Sequence, residues 1–192
     1  MKYKIMKQVT FKKSYIALLL AFCATCNAAG TNKITGAFGK KLGETFTTNK
    51  VERIEMGKNE PLFKFTPTES HEYFSDYYVQ ITPISKIIYH IAATSPKDDD
   101  FDRVTLRYEA LTKALSDKYG PAETVLGAST ISQDFRSVRV KIVQGQVYPQ
   151  LVIDYVDSVL AKIAEEERAE IEKRLRDKQI DAELKNKNNS GL

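Results

Sequence analysis

Apolar residues recur with period two in two stretches of the chain and with a helical period in two others. Tyr77, Val79 and Ile81 alternate with Tyr78, Gln80 and Thr82; beyond Pro83, Ile87, Tyr89 and Ile91 alternate with Lys86, Ile88 and His90. Alternation on both sides of a proline turn predicts a β-hairpin between Tyr77 and Thr94. Inward residues must pair with inward residues, which favours Ile81 opposite Ile87, Val79 opposite Tyr89 and Tyr77 opposite Ile91, with Tyr78 facing His90 on the outside. A second hairpin follows from Val138, Val140 and Ile142 alternating with Arg139 and Lys141, then Leu151, Ile153 and Tyr155 alternating with Val152 and Asp154. The same parity pairs Val138 with Tyr155, Val140 with Ile153 and Ile142 with Leu151, and sets Arg139 against Asp154 as an outward ion pair. A slip of one residue would bury Arg139 and Lys141, which is prohibitive.

Between the hairpins, Val104, Tyr108, Leu111, Leu115 and Tyr119 form one stripe of a helix from about Arg103 to Tyr119. Asp100 or Asp102 can cap its start, and Gly120-Pro121 stops it. A second helix starts near Val156, with Val156, Leu160, Ile163 and Ala164 on an apolar face that thins to Ile171, Leu175 and Leu184. Between Lys162 and Lys187 stand eight basic and eight acidic residues without sustained heptads, so this helix is expected to leave the body. Its own ion pairs, such as Glu170–Arg174, would support it, and Lys185–Leu192 would form an unstructured tail. Deleting everything beyond about Glu165 would then leave the melting temperature nearly unchanged but abolish partner capture. Phe63–Phe65 reads as a short strand between Pro61 and Pro67. Residues 30–60 read as a turn-rich entry that docks Phe38 and Leu42 on the core.

The element order ββα–ββα, with one polar face on each hairpin, predicts an α+β class in two layers: an antiparallel sheet covered by helices on one face, and a long protruding C-terminal helix. Three regions result: a secretory signal peptide over residues 1–28, a single α+β globular domain over 29–164, and a charged helical extension with its tail over 165–192.

Charge and cysteine usage sharpen the reading of the first segment. Five lysines and no acid lie in residues 1–28, leaving 24 basic against 25 acidic residues in the body. A near-neutral body carries no electrostatic footprint for nucleic acid. After the lysines comes an apolar run from Tyr15 to Thr25, too short to span a bilayer, and Cys26-Asn27-Ala28 supplies small residues for cleavage. An uncleaved anchor and a lipid-modified Cys23 or Cys26 are the rival readings. Both cysteines lie in this segment, so cleavage leaves no thiol chemistry and no disulfide. The expected location is the bacterial periplasm or the medium, with no integral membrane span after cleavage.

Reactive-site motifs are scarce. Gly36-Ala-Phe-Gly39-Lys-Lys fails the phosphate-loop spacing. Asp98, Asp100, Asp102 and Glu109 match an EF-hand at four positions, but Arg103 replaces its turn glycine, so a solvated acidic N-cap is expected and at most a weak divalent site over Asp98–Asp102. No metal site and no cofactor are expected. His71 and His90 have no metal-ligand spacing, and no nucleophile elbow exists. Tyr73, Phe74, Tyr77 and Tyr78 crowd six residues amid Glu69, Glu72 and Asp76, which again disfavours nucleic acid. Tyr77 is core by parity; Tyr73, Phe74, Tyr78 and the outward His90 are candidate anchors for a protein partner. The expected function is therefore that of an exported, non-enzymatic protein acting by contact with a protein partner in the envelope or outside the cell. The alternative is a small envelope hydrolase using His71, His90 and nearby carboxylates.

Overall fold

The computed structural model describes residues 32–47, 52–55, 61–144 and 148–189. The signal-peptide reading, with its lysines and both cysteines, lies outside the described residues. The chain is α+β: ten strands and two helices among the described residues. A small hairpin, β1 (Gly36–Ala37) with β2 (Lys40–Lys41), precedes the main sheet. Four strands follow: β3 (Glu52–Glu55), β4 (Pro61–Lys64), β5 (Asp76–Ile81) and β6 (Ile88–Thr94). Helix α1 (Phe101–Tyr119) leads to β7 (Glu123–Val125), β8 (Ala128–Gln133), β9 (Arg136–Gln144) and β10 (Pro149–Asp157), and α2 (Ser158–Asn189) closes the fold.

The main sheet is antiparallel throughout, in the order β3-β4-β5-β6-β10-β9-β8-β7. The two hairpins read from the sequence, β5–β6 and β9–β10, form its middle. Each is extended outward by two short strands, so four strands of the main sheet precede each helix. The two halves meet where β6 pairs with β10, and the strand order mirrors itself about that seam.

The register of β9–β10 is the expected one, including Val140 opposite Ile153 and Arg139 opposite Asp154. In β5–β6 the pairing is two residues away from expectation: Val79 faces Ile91, Tyr77 faces Ala93, and Tyr78 faces Ala92 in place of His90. Parity constrains register only to multiples of two. The turn decides the rest, and here it is wider than a tight hairpin. Thr82 N–H donates to the Ile87 carbonyl and Lys86 N–H to that of Thr82, with Lys86 in the left-handed region at φ 59°. A bulge after Gln80 then pairs Ile81 with Ile88, so Ile88 is fully buried where Ile87 was expected.

The core lies on one face of the sheet. Tyr77, Val79, Ile91, Val138, Val140, Leu151, Ile153 and Tyr155 point into it, and α1 contributes Val104, Leu111, Leu115 and Tyr119, as its stripe predicts. Asp100 caps α1 by accepting from Arg103 N–H at 3.0 Å. The entry segment completes the layer. Phe38 meets Phe74, Tyr77 and Tyr155 edge-on, and Leu42 is buried beside it. The glycines of this segment serve a tight turn: a Cβ on Gly36 would lie 2.1 Å from the Lys40 carbonyl oxygen. Arg136 fastens segment to sheet. It donates to Asp157 at 3.0 Å and to the carbonyls of Ile34 and Leu42, each at 3.2 Å.

Helix α2 packs against β6 and β10 and buries Ala164 completely. Its start is capped by Asp157, which accepts from Leu160 N–H at 3.0 Å. Glu167 accepts from the backbone N–H groups of Ile84 (2.6 Å) and Ser85 and from the Ser85 hydroxyl, clamping the β5–β6 turn. A cut after Glu165 would remove this clamp: contacts between α2 and the body reach at least Glu167. Side chains 172–185 are all exposed, which makes the remainder a protruding arm. Residues 185–189, expected to be unstructured, are helical. No described helix is long and apolar enough to cross a membrane.

Candidate functional site

The sheet face turned away from the core carries the site. Three neighbouring rows run across the strands there. Register places Lys64, Tyr78, Ala92, Asp154 and Arg139 side by side on β4, β5, β6, β10 and β9. The row on one side holds Leu62, Gln80 and His90; the row on the other holds Asp76, Thr94, Val152 and Lys141. Period-two alternation guarantees that every one of these points outward whenever Val79, Ile91 and Ile153 point inward. Ala92 has the smallest side chain of the central row. Its methyl leaves a depression between Tyr78 and Asp154, and the resulting hollow of about 500 Å3 is lined by strand residues alone.

Asp154 anchors this face. It is 4% exposed although it belongs to the outward side. Oδ1 lies 3.0 Å from His90 Nε2, while Oδ2 meets Lys141 Nζ at 3.1 Å and Arg139 Nη2 at 3.5 Å. The network continues from His90 Nδ1 to Gln80 Oε1 at 2.6 Å. Burial pushes the Asp154 carboxyl up, but the hydrogen bond and charge of His90 and the ammonium of Lys141 outweigh it and hold the group at about 2. At the other end of the hollow, Asp76 accepts from Lys64 Nζ at 2.6 Å and from the Ser75 hydroxyl at 2.7 Å, and Lys64 first of all lowers its carboxyl below the ordinary value. Gln150 is tied to the Ser95 carbonyl at 2.8 Å.

Of the four residues expected to meet a partner, Tyr78 and His90 line this hollow together. Phe74 does not: it is buried in the core against Phe38, because the turn over residues 71–75 is pinned by the Tyr77 hydroxyl, which donates to the Phe74 carbonyl at 3.1 Å. The expectation of an exposed Phe74 is thus corrected. Tyr73 is half-buried beneath the Arg107 guanidinium, 5.7 Å from its ring centre. His71 belongs to the same turn. Its Nδ1 accepts from Tyr73 N–H, and its ring contacts those of Tyr73 and Phe74. The turn is held to the core side by Tyr77, whereas His90 stands on the outward face, so the fold does not assemble the two histidines into one centre.

The acidic loop is engaged by its own helix. Asp98 pairs with Arg103 and, at 3.3 Å, with Arg107, and Arg103 foremost holds its carboxyl well below the usual carboxylate range. A divalent ion there would have to displace two guanidinium groups. No cluster of three potential metal ligands occurs among the described residues.

Gln80, Lys141 and the burial of Asp154 were not foreseen. The alternation gives Arg139–Asp154 as an outward pair, and that pair exists. What brings His90 to it is the β6–β10 pairing, a contact between residues 64 apart in sequence with no local signal. Comparison with family models, with curated proteins and with solved structures yields no match for the chain.

Proposed function

We propose that the protein is exported, loses its first 28 residues, and works in the periplasm or outside the cell as a non-enzymatic binding protein that meets a protein partner through the outward face of its sheet. One observation carries the reading: a carboxylate that is 4% exposed, bonded by groups from two neighbouring strands, sits on the face opposite the core. Removing charged groups from water is a poor way to gain stability, since an apolar replacement of similar volume is often as good or better. A buried charge cluster on a sheet face without a core is better explained by recognition. Tyr78 and His90 sit beside it as the contact residues, and the protruding part of α2 offers a second, polar contact element. Non-enzymatic action fits the engagement of both His90 ring nitrogens, by Gln80 and by Asp154, which leaves neither free to take a proton from a substrate.

Export is tested by cell fractionation with intact-mass measurement on the untagged protein. A chain starting at Ala29 in the periplasm or medium is the expected result. Recovery of the full-length chain among cytosolic enzymes would overturn the proposal.

A further inference from the structure

The hollow has a composition that names the chemistry of a small ligand. Its polar groups are largely spoken for: Gln80, His90 and Asp154 bond to one another, and Asp76 bonds to Lys64. What remains to a ligand is the apolar surface between them, supplied by Ile54 and Leu62 at one end and by Ala92 and Val152 in the middle. The balance of charge at the opposite end is uneven. Arg139 and Lys141 both reach the same Asp154 oxygen, and among the described residues that is the one carboxylate they meet. Two cations against one acid leave a surplus positive charge. Lys141 lines the hollow, and Arg139, outside the lining, reaches the same oxygen from the neighbouring row; their side chains are 34% and 48% exposed, so the surplus is open to water beside the hollow. A guanidinium fork beside an ammonium group matches a carboxylate in shape as well as in charge.

We infer that the hollow binds a single-chain amphiphile, its carboxylate held by Arg139 and Lys141 and its apolar chain laid across β10, β6 and β5 toward Leu62 and Ile54. From β9 to β4 the path crosses four strand spacings, about 19 Å. The volume of about 500 Å3 lies within the usual range for small-ligand sites. Ala92 makes the room, and a bulkier residue there closes it while leaving the core face untouched. This binding goes beyond the protein-partner reading and holds for the isolated chain.

Dodecanoate, dodecanol and dodecyltrimethylammonium, each below its aggregation concentration, provide the test by isothermal titration of the purified protein. Dodecanoate is expected to bind one to one, the alcohol at least ~10-fold more weakly, and the ammonium compound weakest of all. Ala92→Phe should weaken dodecanoate at least ~10-fold with the melting temperature maintained. Lys141→Gln should weaken dodecanoate and narrow the preference for acid over alcohol, since Arg139 alone is left to hold the carboxylate. Equal binding of the three head groups, or no binding of dodecanoate, would overturn the inference. If Ala92→Phe fails to fold, Lys141→Gln decides: a narrowed preference supports the inference and an undiminished one overturns it.

Discussion

Replacing Arg136 with alanine should destabilise the fold by about 3–5 kcal/mol, the loss typical of breaking a buried ion pair from one side. Asp157, 2% exposed, would keep its charge and lose its partner at 3.0 Å. The carbonyls of Ile34 and Leu42 would lose a donor at the same time, freeing the entry segment that carries Phe38 and Leu42 into the core. For a chain of this length the melting temperature should fall by roughly 10 °C. Urea unfolding measures the loss directly. Removing the orphaned charge as well, in Arg136→Ala with Asp157→Asn, should recover part of it, because the two changes share one interaction. A loss below about 1 kcal/mol for the single variant would mean that Arg136 is an ordinary surface residue.

Asp154→Asn is the second large effect, about 3 kcal/mol at neutral pH, since it leaves His90, Lys141 and Arg139 gathered around a neutral group. Its signature is the pH dependence. In the folded protein the Asp154 carboxyl titrates at about 2, below its ordinary 3.8. A depressed carboxylate stabilises the fold fully above its unfolded value and loses that contribution as pH falls toward the folded one. The stabilisation from this shift is roughly 2 kcal/mol above pH 5 and roughly 1 kcal/mol at pH 3. The stability gap between the wild type and the variant should therefore narrow by roughly 1 kcal/mol between pH 6 and pH 3. A gap that stays constant over this range would show that the charge of Asp154 contributes nothing.

Alternation carried most of the legible structure. Over Val138–Tyr155 it yields strands and face, because a slip of one residue would bury two cations, and the expected register with Arg139 opposite Asp154 is the one the turn adopts. Over Tyr77–Ile91 it yields the face but not the register, since a shift of two residues keeps the same side chains inward and only the turn and the bulge at Gln80 choose between them. Of the outer strands only β4 is anticipated, from Phe63–Phe65; the others are short and weakly patterned. Glu52–Glu55 is too brief to show a period, and β8 interleaves serine and threonine with a single large apolar residue, Ile131. Phe74 illustrates a different gap. Nothing in a cluster of aromatics says which of them a local turn will fold under, and here the Tyr77 hydroxyl makes the choice. The site was half legible for a related reason. Arg139 and Asp154 face each other across a hairpin, but the third partner, His90, comes from the other half of the chain through the β6–β10 seam.

The outward face as the working surface is most directly tested by photo-cross-linking in living cells, with a benzophenone amino acid in place of Tyr78 and, as a control, in place of Leu106 on α1, which is 66% exposed. Position 78 is expected to capture one defined protein of the envelope fraction, and position 106 is not. The same adduct from position 106, with none from position 78, would place the contact surface on the helical side and contradict the assignment.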